Sequence, residues 1–439
     1  MNLEDYRQKE SSEKEAPLSP EIDDYLYKTE TMSLSIREGL FGGLSQSLAD
    51  QFITPYALNL YISPTQIGIM SSLLGIMSPI GQIIGSNRMK KQSRRNIMLK
   101  AISFQLLMWP LIILLGIFAI NNWYVSILPI FLISFYILYS FFGSISGPSW
   151  FSLMGDIVPE HHRGRYFSKR NLIITAISIT ISLLASVALD EFVRLNRLFL
   201  GFFIIFFIAF LTRATSLFLL MRHYYPPFTI EKQSYISLKK FLKEIPNNNF
   251  GIFTLFMGFI YFSVHIGAPF VGVYMLKVLN FSYIEYVLVN LSTPLLGILF
   301  SPLLGYLSDK YGNALLLKIC GLLLPTVPIL WIVMNTPVQL IFGPQLVSAF
   351  AWIGVNLATS NFIYDNISTQ QRGFYISYYS FFIGFGILFG GLLGSYLINI
   401  VPILFVCAFE TLFLISGILR LFVDAIFLWR IKEVRVTRS

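Results

Sequence analysis

Gly155-Asp156-Ile157-Val158-Pro159-Glu160-His161-His162-Arg163-Gly164 and Tyr364-Asp365-Asn366-Ile367-Ser368-Thr369-Gln370-Gln371-Arg372-Gly373 are the two stretches on which the architecture turns. In each, an Asp precedes an Arg-Gly pair by seven positions at the end of a long apolar block, and the copies stand 209 residues apart. The offset recurs. Arg213 in Phe210-Leu211-Thr212-Arg213-Ala214 is matched 207 residues later by Arg420 in Gly417-Ile418-Leu419-Arg420-Leu421. Pro55 and Pro269, each in a Pro-aromatic pair, are 214 apart. Two copies of one unit, each about half the chain, account for all three.

The unit is a set of membrane spans. Of 439 residues, 55% are hydrophobic and 13% charged, against roughly 25% charged in a soluble domain. The apolar residues come in blocks matching the ~20 residues that a helix needs to cross the hydrocarbon layer. The blocks are 37–61, 64–89, 96–120, 125–154, 171–189 and 198–221, then 250–278, 283–307, 314–334, 338–364, 375–400 and 402–429. The expected fold is therefore an all-α integral membrane protein with twelve transmembrane helices in two six-helix pseudo-symmetric bundles, 37–221 and 250–429. An acidic tail (1–36), a linker (222–249) and a basic tail (430–439) complete the chain.

The net charge of +9 does not point to nucleic acid, because the basic residues sit in short clusters between apolar blocks. Arg88, Lys90, Lys91, Arg94 and Arg95 follow block two; Arg163, Arg165, Lys169 and Arg170 follow block four; Arg222, Lys232, Lys239, Lys240 and Lys243 follow block six. The odd connections hold only Arg194, Arg197 and Lys277. Cytoplasmic loops accumulate Lys and Arg, so both termini are expected in the cytoplasm and the protein in the plasma membrane. No basic-then-apolar secretory signal opens the chain, so block one is expected to act as its own insertion signal. Cys320 and Cys407 lie in apolar blocks without Cys or His at ligand spacing, which points to packing rather than disulfide or metal. No cofactor is implied: phosphate-binding Gly-x-x-x-x-Gly-Lys-Ser/Thr loops, nucleophile elbows and zinc spacings are all absent from the sequence.

Gly305-Tyr306-Leu307-Ser308-Asp309-Lys310-Tyr311-Gly312-Asn313, between blocks eight and nine, resembles the signature loop of the major facilitator superfamily, Gly-x-x-x-Asp-Arg/Lys-x-Gly-Arg/Lys. The Asp-to-Arg-Gly segments are similar to that family's pattern as well, and the resemblance covers the chain beyond its N-terminal tail. One departure stands out. The first-half loop reads Gly85-Ser86-Asn87-Arg88-Met89-Lys90-Lys91-Gln92, with Met89 where the family has Asp, so a gate anchored there is weakened or held by another residue. The resemblance implies parallel repeats with a substrate site between them at mid-membrane. It also implies that helices 1, 4, 7 and 10 line the cavity, that 3, 6, 9 and 12 form a scaffold, and that a monomer does the work. Asp156, Arg163, Asp309, Asp365 and Arg372 would form a cytoplasmic gate; otherwise they merely set orientation.

Polar residues inside apolar blocks are the site candidates. Asp50, in Ser45-Gln46-Ser47-Leu48-Ala49-Asp50-Gln51, sits near mid-bilayer. A carboxylate at that depth costs roughly 2.5–3.5 kcal/mol on insertion scales, so it either binds a proton or cation in a wet cavity or bonds to a neighbouring helix. His265 falls within one position of Asp50's repeat mate, and histidine exchanges protons near neutral pH. It either shares a proton with Asp50, contacts substrate or is a buried neutral side chain. Gln51, Tyr261, Gln345, Trp352 and Asn356 complete the proposed lining, with helix or lipid packing as the alternative for the aromatics. Arg213, Arg420 and Asp424 look structural, with Arg420 and Asp424 spaced to pair on one helical face. Glu410 has no local partner in the sequence.

Gly81 and Gly85, and Gly386, Gly390 and Gly394, recur every four positions and suggest sliding contact between helices 2 and 11 across the two halves. Segment 236–245, with three lysines, suggests a short amphipathic surface helix. The expected function is alternating-access transport of a small solute, proton-coupled, in the lipid bilayer. The sparse charge of the lining favours a neutral, amphipathic or weakly cationic solute. A non-transporting receptor or scaffold on the same fold, or a lipid-moving protein, is the alternative.

Overall fold

The structure, a computed structural model, describes residues 20–227, 241, 243, 248–367 and 372–433. Most of the segment 236–245, where a short helix is expected, and most of the basic tail lie outside the described residues. Twelve long helices follow one another, and no β-strand occurs among the described residues. They are α1 (Pro20–Asn59), α2 (Pro64–Arg88), α3 (Arg94–Ile120), α4 (Leu128–Ile157), α5 (Arg163–Arg194) and α6 (Leu198–Met221) in the first half. The second half has α7 (Asn249–Val278), α8 (Tyr283–Tyr311), α9 (Asn313–Val333), α10 (Pro337–Leu340, Ile341–Gln345 and Leu346–Asn366), α11 (Arg372–Leu397) and α12 (Ala408–Phe427).

Eleven of these are long and apolar enough to cross a membrane, making this a multi-pass membrane protein. The exception, α1, carries Glu38, Asp50 and the polar run Ser45 to Gln51, a composition that suits a helix held inside protein rather than against lipid. Helix α1 also begins earlier than expected. The polar segment from Pro20 continues it without a break, so the acidic tail is helical where it is described. Helix α12 begins later, at Ala408, because the Glu410 carboxylate turns back to accept the backbone N–H groups of Val406 (2.7 Å) and Cys407 (3.3 Å). Glu410 is thus a helix cap, bonded also by the Tyr274 hydroxyl at 3.0 Å.

The duplication is visible in the packing. Helix α1 packs on α5 and α6 as α7 packs on α11 and α12; α4 packs on α2 and α3 as α10 packs on α8 and α9; α3 meets α6 as α9 meets α12. Helices α2 and α8 even start alike, with Ser63 and Gln66, and Ser282 and Glu285, forming reciprocal capping boxes. The halves touch through α2 against α11 and α5 against α8.

Symmetry breaks inside the second half. Helix α7 tightens to a 3₁₀ turn at Ala268–Phe270 and loosens to a π-helix at Tyr274–Val278; α9 is interrupted between Leu323 and Thr326; α10 has a π-helical segment at Ile341–Gln345. Pro269, Pro325 and Pro344 lie at these irregularities and cannot donate the helical hydrogen bond.

The glycine expectation is corrected in detail. A Cβ on Gly81 or Gly85 would strike Phe141 or Ile145 backbone on α4, and on Gly386, Gly390 or Gly394 would strike Gly258, Phe262 or Ile266 backbone on α7. These glycines pack each half internally. Contact between the halves uses another set: Gly75 against Ile387, Gly384 against the Gly75 carbonyl, Gly391 against Ser72, and Gly68 against Ser395.

Candidate functional site

Two of the chambers between the described helices concern the candidate residues. A cavity of about 460 Å³ is bounded by α1, α2 and α4 from the first half and by α7, α8, α9, α10 and α12 from the second. All three irregular helices border it, through Pro269, Pro328 and Gln345 among others. The other chamber, about 570 Å³, lies within the first half towards the face that carries the chain ends, and Gln46, Asp50, Gln82, Gln105 and Arg213 line it. Tyr136 belongs to both linings. Its hydroxyl donates to Asp50 Oδ1 at 3.2 Å, and Gln46 Nε2 reaches the other carboxylate oxygen at 3.5 Å. Asp50 is exposed despite its depth, so it faces open space rather than hydrocarbon packing.

The expected pair of Asp50 and His265 is not brought together. His265 Nδ1 donates to the Tyr261 carbonyl at 2.9 Å and the ring stacks on Tyr261, and His265 lines neither chamber. The reason is rotational: the position level with Asp50, counted from Pro55 and Pro269, is Val264, which does line the cavity. One residue further turns a helical side chain by about 100°. Gln51 likewise lines neither chamber. Tyr261 rests against Trp352, whose ring borders the cavity. Gln345 borders it too, but is clamped to α8: its amide donates to the Val289 carbonyl (2.9 Å) and accepts the Thr293 hydroxyl (2.8 Å). Asn356 is exposed and outside both linings.

Two arginines placed on scaffold helices reach the chambers after all. Arg213 on α6 donates to Gln105 and lines the Asp50 chamber. Arg420 on α12 lines the central cavity, donating to the Leu324 carbonyl (2.9 Å) at the α9 interruption and to Ser416 Oγ (3.0 Å). Arg420 and Asp424 interact through their charges but not through a hydrogen bond: both Asp424 carboxylate oxygens are buried without a hydrogen-bond partner.

At the ends opposite the termini the halves are bolted together. Asp190 on α5 accepts the backbone N–H groups of Tyr283 (2.8 Å) and Ile284 (2.9 Å), the Asn59 amide donates to the Tyr283 hydroxyl (3.1 Å), and the Asn399 amide donates to the Thr65 hydroxyl (3.0 Å). One apolar core runs across both halves there, joining Phe52 and Tyr56 to Tyr274, Tyr286 and Phe413. Towards the termini the cores separate, with Ile102, Leu153 and Leu217 in the first half and Phe253, Leu317 and Phe362 in the second.

The expected gate residues lie at the termini face, in a different arrangement. Asp156 pairs with Arg94 at the start of α3, whose guanidinium also holds Ser152 and the Pro226 carbonyl. Arg163 instead caps the end of α4, donating to the Val158 carbonyl at 3.1 Å and to Gly155. Asp365 accepts from Asn313 at 3.1 Å, in a network with Ser308 and Asn361. Asp309 is exposed in the last turn of α8, and the Arg372 side chain lies outside the described residues. Met89 packs with Ile97, Ala101 and Ile145 in its own half.

The comparisons agree with this architecture. A family profile for the Major Facilitator Superfamily matches residues 39–369. No curated protein matches the sequence. Among solved structures, a mutant form of nucleoside transporter NupG is similar with a TM-score of 0.70 and 15% identity, covering 91% of this chain and 100% of that one. A bacterial homologue of the iron transporter ferroportin, in an inward-facing state, gives 0.68 and 16%, covering 91% and 98%. A POT family transporter in complex with 5-aminolevulinic acid gives 0.64 and 14%, covering 92% and 95%. At these identities the likeness is one of fold.

Proposed function

The chain belongs to the Major Facilitator Superfamily, and from that premise we propose that it is a secondary transporter, not an enzyme, moving a small solute by alternating access with protons as the coupling ion. The observation that carries this is Tyr136, which walls the central cavity on one side and bonds Asp50 in the first-half chamber on the other. A solute seated in the cavity presses on a side chain that the carboxylate holds, which ties occupancy to the protonation of Asp50. The Lys and Arg distribution supports cytoplasmic termini in the plasma membrane. With that orientation the bolted face is outer and the protein is inward-facing.

Alternating access then requires the Asp190 bolt to break while the termini ends of the halves approach. The Arg94–Asp156 and Asn313–Asp365 contacts brace those ends within each half. Reconstitution in liposomes tests the proposal. Wild type is expected to take up solute in response to a pH gradient, Asp50→Asn to exchange solute without responding to it, and His265→Gln to keep the response. Unchanged pH dependence in Asp50→Asn overturns the role of Asp50. Binding without flux makes the protein a receptor on a transporter fold.

A further inference from the structure

The central cavity is asymmetric in charge as well as in backbone. Of the described residues that line it, Arg420 alone is charged, and no Asp or Glu faces it. The rest of the wall is apolar or neutral, with Trp331, Trp352, Tyr286 and Phe413 supplying aromatic surface. A guanidinium has five N–H donors in a flat fork. In Arg420 one Nη donates to the Leu324 carbonyl and the other to Ser416 Oγ, each Nη keeps a second N–H, and Nε is buried without a partner. Asp424, one turn along α12, lines no part of the cavity; its charge is felt by Arg420, but its carboxylate oxygens take none of the guanidinium N–H groups. The fork is positioned by the α9 interruption but not consumed by it.

We propose that this cavity binds a solute carrying a single carboxylate on an apolar, aromatic body, with Arg420 as the anion anchor. Arg pairs with carboxylate through two parallel hydrogen bonds, and in a site of low polarity such a pair is far stronger than in water. One guanidinium balances one negative charge, which selects a monoanion over a phosphate dianion. The aromatic side chains fit the remainder of the solute, and about 460 Å³ matches a small organic acid. The sequence alone favours a neutral, amphipathic or weakly cationic solute; Arg420 narrows this to an amphipathic anion because α12 turns it inward at the α9 interruption. The assignment deepens the transporter proposal and rests on it for the direction of use, though not for binding.

The test is thermal unfolding of the purified full-length protein with benzoate and indole-3-acetate, each beside its amide, benzamide and indole-3-acetamide, at millimolar concentration. A ligand that binds the folded state raises the apparent Tm. Both acids are expected to raise it saturably, their amides not, and Arg420→Gln is expected to abolish the difference. Since Arg420→Gln also removes the bond to Leu324, Ser348→Asp serves as a second variant. It adds a carboxylate to the cavity wall, leaves the Arg420 bonds in place, and is expected to abolish the acid shift equally. Acid and amide behaving alike in wild type, no acid shift at all, or an acid shift that survives in Ser348→Asp overturns the assignment. Liposome flux separates the two proposals. Acids that bind but do not cross leave the anion site standing and end the transport reading. Flux of amides with no preference for acids does the reverse.

Discussion

Asp190 and Tyr283 are 93 positions apart, in opposite halves, yet the Asp190 carboxylate accepts the Tyr283 backbone N–H at 2.8 Å and the next one, of Ile284, at 2.9 Å. With Ser282 Oγ taking the Glu285 N–H and the Glu285 carboxylate taking the Ser282 N–H, all four unsatisfied donors at the start of α8 are accounted for. A residue of one half completes a helix of the other, so separating the halves exposes a helix end. Removing a cap costs ~1 kcal/mol, and a charged bond to a helix N-terminus somewhat more. Asp190→Ala is expected to shift the population about tenfold towards the state open at this face, a change of ~1.4 kcal/mol. Spin-label distances between α5 and α8 at that end would lengthen; an unchanged distribution would show that apolar packing alone holds the face shut.

Tyr136→Phe keeps the ring that walls the central cavity and deletes the bond to Asp50. A hydrogen bond to a charged group contributes about 1.5–3 kcal/mol. Gradient-driven uptake is therefore expected to fall about tenfold or more, while solute exchange without a gradient persists. Equal loss of both would place Tyr136 in solute binding alone.

Two glycines on one helix separate folding from motion. A Cβ at Gly386 meets backbone of α7 within the second half, so Gly386→Val is expected to lower the melting temperature sharply. A Cβ at Gly391 meets Ser72 and Gly68 across the halves. Gly391→Val is expected to melt close to wild type but to lose most transport, by forcing α2 and α11 apart. Similar melting curves for the two variants would contradict this division.

Arg94 is buried, and Asp156, Ser152 and the Pro226 carbonyl are among the partners that hold it. Asp156→Ala removes one carboxylate from that cation. The expected loss is about 1–3 kcal/mol, less than for a fully buried pair because Asp156 itself is exposed. Charge-neutral Asp156→Asn, which keeps an acceptor, is expected to recover part of it in the same melting experiment.

His223, just beyond the end of α6, is buried, and its imidazole pKa is pulled down to about 4 because burial disfavours the charged ring. The folded protein therefore binds fewer protons here than the unfolded chain, whose histidine titrates near 6.5. Stability from this group is complete above about pH 6.5 and is lost as pH falls from there towards 4. Melting temperature is expected to drop between pH 7 and 5, and His223→Leu to flatten that slope. An identical slope in the variant would assign the acid sensitivity elsewhere.

Much of the fold was legible because its signals are local. The twelve blocks and the duplicated Asp-to-Arg-Gly segments needed only composition and spacing. A further trace of the repeat, the paired capping boxes at Ser63 and Ser282, is also written in sequence and would have strengthened the case. Site candidates fared unevenly. Asp50 faces a chamber and Trp352 and Gln345 border the cavity, but Tyr136, the residue joining the two chambers, passed as one aromatic among many. Arg420 was set aside as structural because a scaffold helix is not expected to line a cavity. Pro325 in an apolar block was the available hint that α9 breaks there and opens space beside α12.

By itself the sequence determined that the chain is a series of long apolar helices, close to their number, and that the unit they form was written twice. Insertion free energies add residue by residue along a segment, so no knowledge of neighbours is required. Tertiary structure alone decided which glycines separate the halves and which only pack them, that His265 turns from the cavity while Val264 faces it, and that Asp190 closes a helix belonging to the other half. Each of those depends on the rotation of one helix against another, where a single residue is worth about 100°, and on turns where proline breaks the regular register. Small changes of phase leave composition untouched and exchange every partner.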